Sequence, residues 1–386
     1  MQIRQNSGPA LFGVLLMAAF LVAAAGAVRS QSLSRDSARI QLSELFRQLV
    51  REKHFNGSML VADDSGVLFR QVSGYARLGS RRRLDTASQF EVASVSKQFT
   101  AVSILMLWEA GLLSLDDTME RFFPFFPYHG ITIRQLLCHR SGLPDYLEFA
   151  LPYSNDLEPM SNEELLQLLV TEQPPCEFIP NTSFSYSNTG YALLALVVER
   201  VSGLDFEDFV LRNIFEPLQM YSSRFYTEEC RVPSVGTVGH RRNKSVYERD
   251  ALSGIVGDKG IMTTADDLYR WFSNITLLLS DSTLRMAWTP QNGDMPECSN
   301  YGFGWRLSCD DRQCKLVYHG GLWNGNHCLM LYRPEDHAFL VFLSNWCNGA
   351  FQHRGDTVLE IMKNTHGRPD AAKKSDVPET GDNVCD

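Results

Sequence analysis

The sequence has no C-x-x-C pair and no H-x-H or H-E-x-x-H pattern among its 386 residues, so neither a structural zinc site nor a metalloprotease centre can be read from it. Basic residues are in deficit. The 36 Lys and Arg against 45 Asp and Glu leave a net charge of −9, which argues against a nucleic-acid partner. The one dense basic run, Arg81–Arg83, fits a solvated turn. No internal repeat is present. The apolar run from Ala10 to Ala25 is shorter than the roughly 20 residues that span a bilayer. With Arg4 before it and Ala25-Gly26-Ala27 after it, this run reads as a secretory signal peptide over residues 1–27, giving a secreted or periplasmic chain with no stable membrane insertion once the segment is cleaved.

Hydrophobic residues make up 44% of the chain, enough for a large buried core. Export would oxidise some of the nine cysteines. Cys309 and Cys314 are the best candidate pair, since they flank the turn Asp310-Asp311-Arg312-Gln313 between two strand-like runs. Sequons begin at Asn56, Asn181, Asn243 and Asn274 and would matter only in a eukaryotic secretory route.

Leu42, Leu45, Phe46, Leu49 and Val50 recur at helical spacing, and the β-rich runs Ser58–Val61 and Val67–Val72 then flank a turn. Helical signals dominate from Ser96 to about Leu278. Strand-like runs return at Phe303–Leu307, Lys315–Tyr318, Cys328–Tyr332 and Ala338–Leu343, followed by a helical segment, Asp356–Met362. The simplest architecture is α+β: an antiparallel sheet built from both chain ends, with flanking helices and an inserted all-helical region at about 98–290. The expected domain covers 28–365, and 366–386 reads as a polar, loose tail.

Three segments carry the chemistry. In Ala93-Ser94-Val95-Ser96-Lys97, a strand-like run enters a helix, so Ser94 and Lys97 share one face. Serine is a weak nucleophile unless an adjacent group takes its proton, and lysine can do so when its surroundings favour the neutral amine. Alone, S-x-x-K also matches an ordinary helix start. The triplet Tyr-Ser-Asn occurs at Tyr153 and at Tyr186; the second copy precedes the apolar helix Gly190–Leu196, whose rigid support favours Tyr186 and Asn188. Third, His319-Gly320-Gly321-Leu322-Trp323-Asn324-Gly325 lies at the end of a strand-like run, where glycines permit close approach and backbone N–H groups of Ser94 and Leu322 can form an oxyanion hole.

In this order the three segments resemble the serine β-lactamase and penicillin-binding-protein superfamily, on the branch of class C β-lactamases, D-aminopeptidases and related esterases. Gly111–Asp117, Ile133–Leu143, Pro217–Met220 and Leu343–Asn345 extend the resemblance, which covers about Phe55 to Met362. It implies an acyl-enzyme on Ser94, Lys97 and Tyr186 as the acid/base pair, and Asn188 as a positioning residue. His319 to Leu322 would line the substrate and oxyanion site. No cofactor or metal is implied, and the substrate would be a small molecule or peptide with an amide or ester bond. Where many relatives place Lys, then Thr or Ser, then Gly, this chain has His-Gly-Gly. The glutamate that activates the deacylating water in class A enzymes has no counterpart, leaving Tyr186 or the substrate as helper. Whether Lys97 or Tyr186 takes the serine proton stays open. His139, in H-R-S-G-L, reads as loop scaffolding. The competing reading is a catalytically silent scaffold or binding protein on the same fold.

Overall fold

Strict alternation of apolar side chains over two faces makes the late strands the centre of the molecule. On one face of the sheet Leu60, Ala62, Val317, Met330, Val341 and Leu343 join the larger core; on the other, Met59, Val61, Leu316, Leu331, Leu340 and Phe342 join a second one. A computed structural model describes residues 35–154, 158–226, 236–310 and 313–363. The expected signal peptide, Cys230, Cys385 and the expected polar tail lie outside the described residues.

The main sheet has seven antiparallel strands in the order β2-β1-β10-β9-β8-β7-β6: β1 Gly57–Asp63, β2 Gly66–Ser73, β6 Asn300–Tyr301, β7 Arg306–Asp310, β8 Gln313–Trp323, β9 Asn326–Arg333 and β10 Ala338–Ser344. β1 pairs with β10 from Gly57↔Ser344 to Ala62↔Phe339, so the two ends of the domain close one sheet. Helix α1, 35–53, and α10, Gly355–Lys363, cover one face through Leu42, Phe46, Val358 and Met362. Helices α2 to α9 belong to the segment between β2 and β6: Lys97–Glu109, Ile133–Leu137, Tyr146–Phe149, Asn162–Glu172, Asn188–Ser202, Phe206–Val210, Ala265–Asn274 and Asp281–Ala287. They build the larger core, in which α2 is buried over most of its circumference.

Three expectations change. The insertion is mostly but not all helical: β4, Arg224–Phe225, and β5, Ile261–Thr263, pair beside β3, Phe90–Glu91, in a small sheet that braces the segment leading into α2. The expected strand Phe303–Leu307 starts three residues later, because Gly304 takes a φ of +92° and Gly302 closes a turn onto Trp305, a conformation strands exclude. Cys309 and Cys314 do oppose each other across β7 and β8, beside a bulge that shifts the register, but as free thiols; both pack against the larger core, and the Cys314 thiol donates to the Leu316 carbonyl at 3.2 Å. The disulfide-bonded cysteine among the described residues is Cys347. The first sequon is closed to a glycan in the folded chain, since buried Asn56 donates its amide to Tyr75 O and Asn345 Oδ1.

Candidate active site

β3 ends against a 3-10 turn, Ala93–Ser96, that runs directly into α2. Ala93 adopts φ +47°, a left-handed conformation that costs a non-glycine residue about 1 kcal/mol, and it turns Ser94 out of the core, partly exposed, at the mouth of the helix. Lys97, one turn on, is completely buried. Its Nζ donates to Ser94 Oγ at 3.3 Å, Asn188 Oδ1 at 2.7 Å and the backbone carbonyl of Asp258 at 3.1 Å. An ammonium has three N–H donors, and all three are used. No carboxylate forms an ion pair with it among the described residues.

Asn188 opens α6. Asp145 Oδ2 fixes its amide by accepting from Asn188 Nδ2 at 2.8 Å and Asn188 N at 3.1 Å, which aims Oδ1 at the lysine. Asp145 Oδ1 meanwhile caps α4 through Leu147 N. Burial is the largest influence on Asp145 and raises its carboxyl above the ordinary range; the Asn188 and Leu147 N–H groups oppose this, and nearby Asp258 adds to it. Tyr186 lies beside the lysine, which sits 4.9 Å over its ring centroid. The Tyr186 hydroxyl is buried with no hydrogen-bond partner among the described residues. Tyr153 is 55% exposed and outside the cleft, so of the two Tyr-Ser-Asn copies only the second is at the site.

His139 holds the Tyr186 loop from both sides. Its carbonyl accepts from Ser185 N and its Nδ1 from Ser187 N, and its ring lies 4.3 Å from that of Tyr186. Nδ1 is therefore the acceptor and Nε2 carries the proton. Burial above all, then the charges of Lys97 and Arg306, push His139 well below the ordinary histidine range, so it is neutral.

His319 also faces away from the cleft. Nδ1 lies 2.6 Å from the Gly320 carbonyl and Nε2 lies 3.0 Å from Tyr301 Oη; since the carbonyl only accepts, Nδ1 donates and Tyr301 donates to Nε2. Burial, then Arg306 and Lys97, hold His319 neutral. The close approach that its glycines allow is to the Ser94 segment itself: a Cβ on Gly321 would lie 2.3 Å from Val92 O and 3.1 Å from Ala93 Cβ. This contact brings Leu322 to the same cleft as Ser94.

The cleft, of about 640 Å³, is lined by Ser94, Tyr186, Asn188, Leu322 and Trp323 and by several groups that the sequence reading did not single out, among them Asp145, Asp258 and Lys259. The segment Gly257-Asp258-Lys259 passes beneath Lys97, anchored where Thr100 Oγ1 donates to Gly257 O at 2.6 Å. Gly257 has φ +98°, and a Cβ there would sit 2.5 Å from Tyr191 O. The signal for this segment was a pair of charged residues enclosed by glycines, Gly257-Asp258-Lys259-Gly260.

A family model described as Beta-lactamase matches residues 42–361. The chain belongs to the β-lactamase family. This β-lactamase-family chain is a serine hydrolase in the coarse sense of the superfamily that unites serine β-lactamases and penicillin-binding proteins. It is 33% identical to a penicillin-binding protein of Bacillus subtilis (strain 168) over 330 residues, covering 81% of this chain and 72% of that protein. It is 26% identical to a D-aminopeptidase of Cereibacter sphaeroides, covering 81% of this chain but only 60% of the relative's length. The solved penicillin-binding protein of Bacillus halodurans superposes with a TM-score of 0.72 at 25% identity, over 82% of this chain and 98% of that one.

Proposed function

We propose that this chain is an exported hydrolase that cleaves an amide or ester through an acyl-enzyme on Ser94, with Lys97 and Tyr186 handling the proton. One observation carries the reading: the hydrogen-bond geometry of Lys97. Two of its three partners, Asn188 Oδ1 and Asp258 O, are carbonyl oxygens and can only accept. A neutral Lys97 keeps two N–H groups and one lone pair, so satisfying both carbonyls leaves the lone pair for the Ser94 hydroxyl, a donor in need of a base.

Ser94 Oγ then attacks the substrate carbonyl carbon while its proton passes to Lys97 directly or to Tyr186. The tetrahedral oxyanion would sit on the N–H groups of Ser94 and Leu322; losing one such donor typically lowers turnover about 100- to 1,000-fold. As the C–N or C–O bond breaks, the proton moves to the leaving amine or alkoxide. Water repeats the sequence on the acyl-enzyme and frees the acid. The Tyr186 hydroxyl, buried without a partner among the described residues, supports this role, because a buried unpaired hydroxyl costs about 1–3 kcal/mol that a leaving atom or water would offset. Relatives that are penicillin-binding proteins and D-aminopeptidases support short peptides containing D-amino acids as substrates, and the pattern of residues 1–27 supports export.

The test is labelling of the purified protein with a fluorophosphonate probe and, separately, a fluorescent penicillin, repeated with Ser94→Ala. Wild-type labelling that disappears in the variant is expected; an unlabelled wild type would favour the silent scaffold. Tyr186→Phe should cut turnover far more than Tyr153→Phe, and the reverse order would overturn the choice of tyrosine.

A further inference from the structure

The proton mechanism uses one buried lysine, yet the cleft wall contains two. Lys259 is 2% exposed and lines the same cleft as Ser94. Its ammonium is held between two aromatic faces, 4.8 Å from the Tyr146 ring centroid and 5.0 Å from that of Trp323. It donates to Tyr146 Oη and makes a long, 3.5 Å contact to Asp258 Oδ1. Tyr146 in turn donates to Asp258 Oδ2 at 2.9 Å. These two acceptors leave one of the three ammonium N–H groups without a partner among the described residues.

The rest of the wall decides what that donor can meet. Asp258 is engaged by Tyr146 and Lys259. Asp145 accepts from Asn188 and Leu147, and burial moves it toward its protonated form. Glu148 and Asp250 are exposed at the rim, and Arg241 stacks on Tyr247 at 4.3 Å. The deep wall therefore offers one unfilled cationic donor, that of Lys259, while each of its carboxylates already has partners. The third motif adds none, since His319 is neutral and committed to Tyr301 and Gly320, and Gly320 and Gly321 have no side chains. We propose that Lys259, framed by Tyr146 and Trp323, binds a carboxylate carried by the substrate, supplying from the Gly257–Gly260 segment the cation that many relatives carry in the third motif. This rests on the acyl-serine reading and names the substrate class it selects: acidic over neutral esters and amides.

Two pairs of chromogenic or fluorogenic esters test it: mono-p-nitrophenyl adipate against its adipamate, with the charge on the acyl side, and 4-acetoxybenzoate against 4-acetoxybenzamide, with the charge on the leaving group. The wild type should prefer the acid in at least one pair. Lys259→Met should reduce that acid-over-amide ratio of kcat/KM by about 10- to 100-fold, the range expected when a hydrogen bond to a charged group is lost. Lys259→Met alone strands the Asp258 carboxylate, so a double variant, Asp258→Asn with Lys259→Met, removes both charges and should lose the preference equally. Absence of acid preference in both wild-type pairs, or a preference that survives in both variants, overturns the assignment. Fluorophosphonate labelling of Ser94, measured on each protein, separates this outcome from failure of the acyl-serine reading, which would leave the wild type unlabelled.

Discussion

Asp145 never touches the nucleophile, yet its removal should slow the enzyme by a calculable amount. In the reactive state, a neutral Lys97 needs both Asn188 Oδ1 and Asp258 O as acceptors so that its lone pair stays on Ser94. Asp145 enforces half of this by holding Asn188 Nδ2 at 2.8 Å. In Asp145→Ala the amide is free to rotate by half a turn and donate to the lysine lone pair, which then competes with Ser94. Freeing the lone pair costs one hydrogen bond, about 1–3 kcal/mol, or roughly a 5- to 160-fold fall in kcat. The variant also loses the cap of α4, about 1 kcal/mol of stability. Asp145→Asn should fall between the two, because its one remaining carbonyl can serve Asn188 or Leu147 but not both. Burial raises the Asp145 carboxyl above its ordinary 3.8, so wild-type kcat should decline as pH falls through that raised midpoint, and Asp145→Ala should lack this limb. Steady-state hydrolysis of a p-nitrophenyl ester across pH, with a melting curve for each protein, measures all of this. A kcat for Asp145→Ala within threefold of wild type, in a folded protein, would refute the lone-pair argument.

Gly321→Ala places a methyl group 2.3 Å from the backbone oxygen of Val92; backbone cannot yield as a side chain does, so a loss of about 1–3 kcal/mol and lower kcat are expected together, and an unchanged Tm would show the contact to be slack. His139 and His319 are both held neutral in the fold. Because their folded pKa values are depressed, stability is complete above the unfolded value and is lost as pH falls below it: below about pH 6.5 the unfolded chain binds two more protons, and unfolding free energy should drop by up to about 2.7 kcal/mol per pH unit. Urea titrations at pH 7.5, 6.0 and 5.0 would show this slope, and its absence in a double His→Gln variant would assign it.

What the sequence made legible is what residue type and spacing encode. Serine and lysine three apart at a helix start must share a face, and they lie 3.3 Å apart. The choice of Tyr186 over Tyr153 rested on the apolar helix behind it, and the first turn of that helix is what Asn188 occupies. The sheet from both chain ends followed from strand-like runs that lie before and after one long, mostly helical stretch. The strand at 303–307 was misplaced because apolar content outweighed two glycines, and backbone conformation decided the matter. Cys309 and Cys314 illustrate the same limit: opposition across a hairpin was readable, the free state of the two thiols was not.

The largest omission was the segment at Gly257–Lys259, and its cause is general. Lys97 is oriented there by a backbone carbonyl, and every residue carries one, so no amino-acid type marks the position. The legible trace lay in the cost of putting it there: a glycine at φ +98° packed against Tyr191, and two charged residues forced into the interior, each 2% exposed. Buried charges must be paired or hydrogen-bonded. Asp258 and Lys259 find each other and Tyr146, and burial, only partly opposed by Asp258, lowers the lysine's hold on its proton. A chain selected for stability alone would fill this position with apolar side chains at little loss. An ion pair whose Asp258 also supplies the carbonyl that orients the base is therefore better explained by the substrate than by the fold.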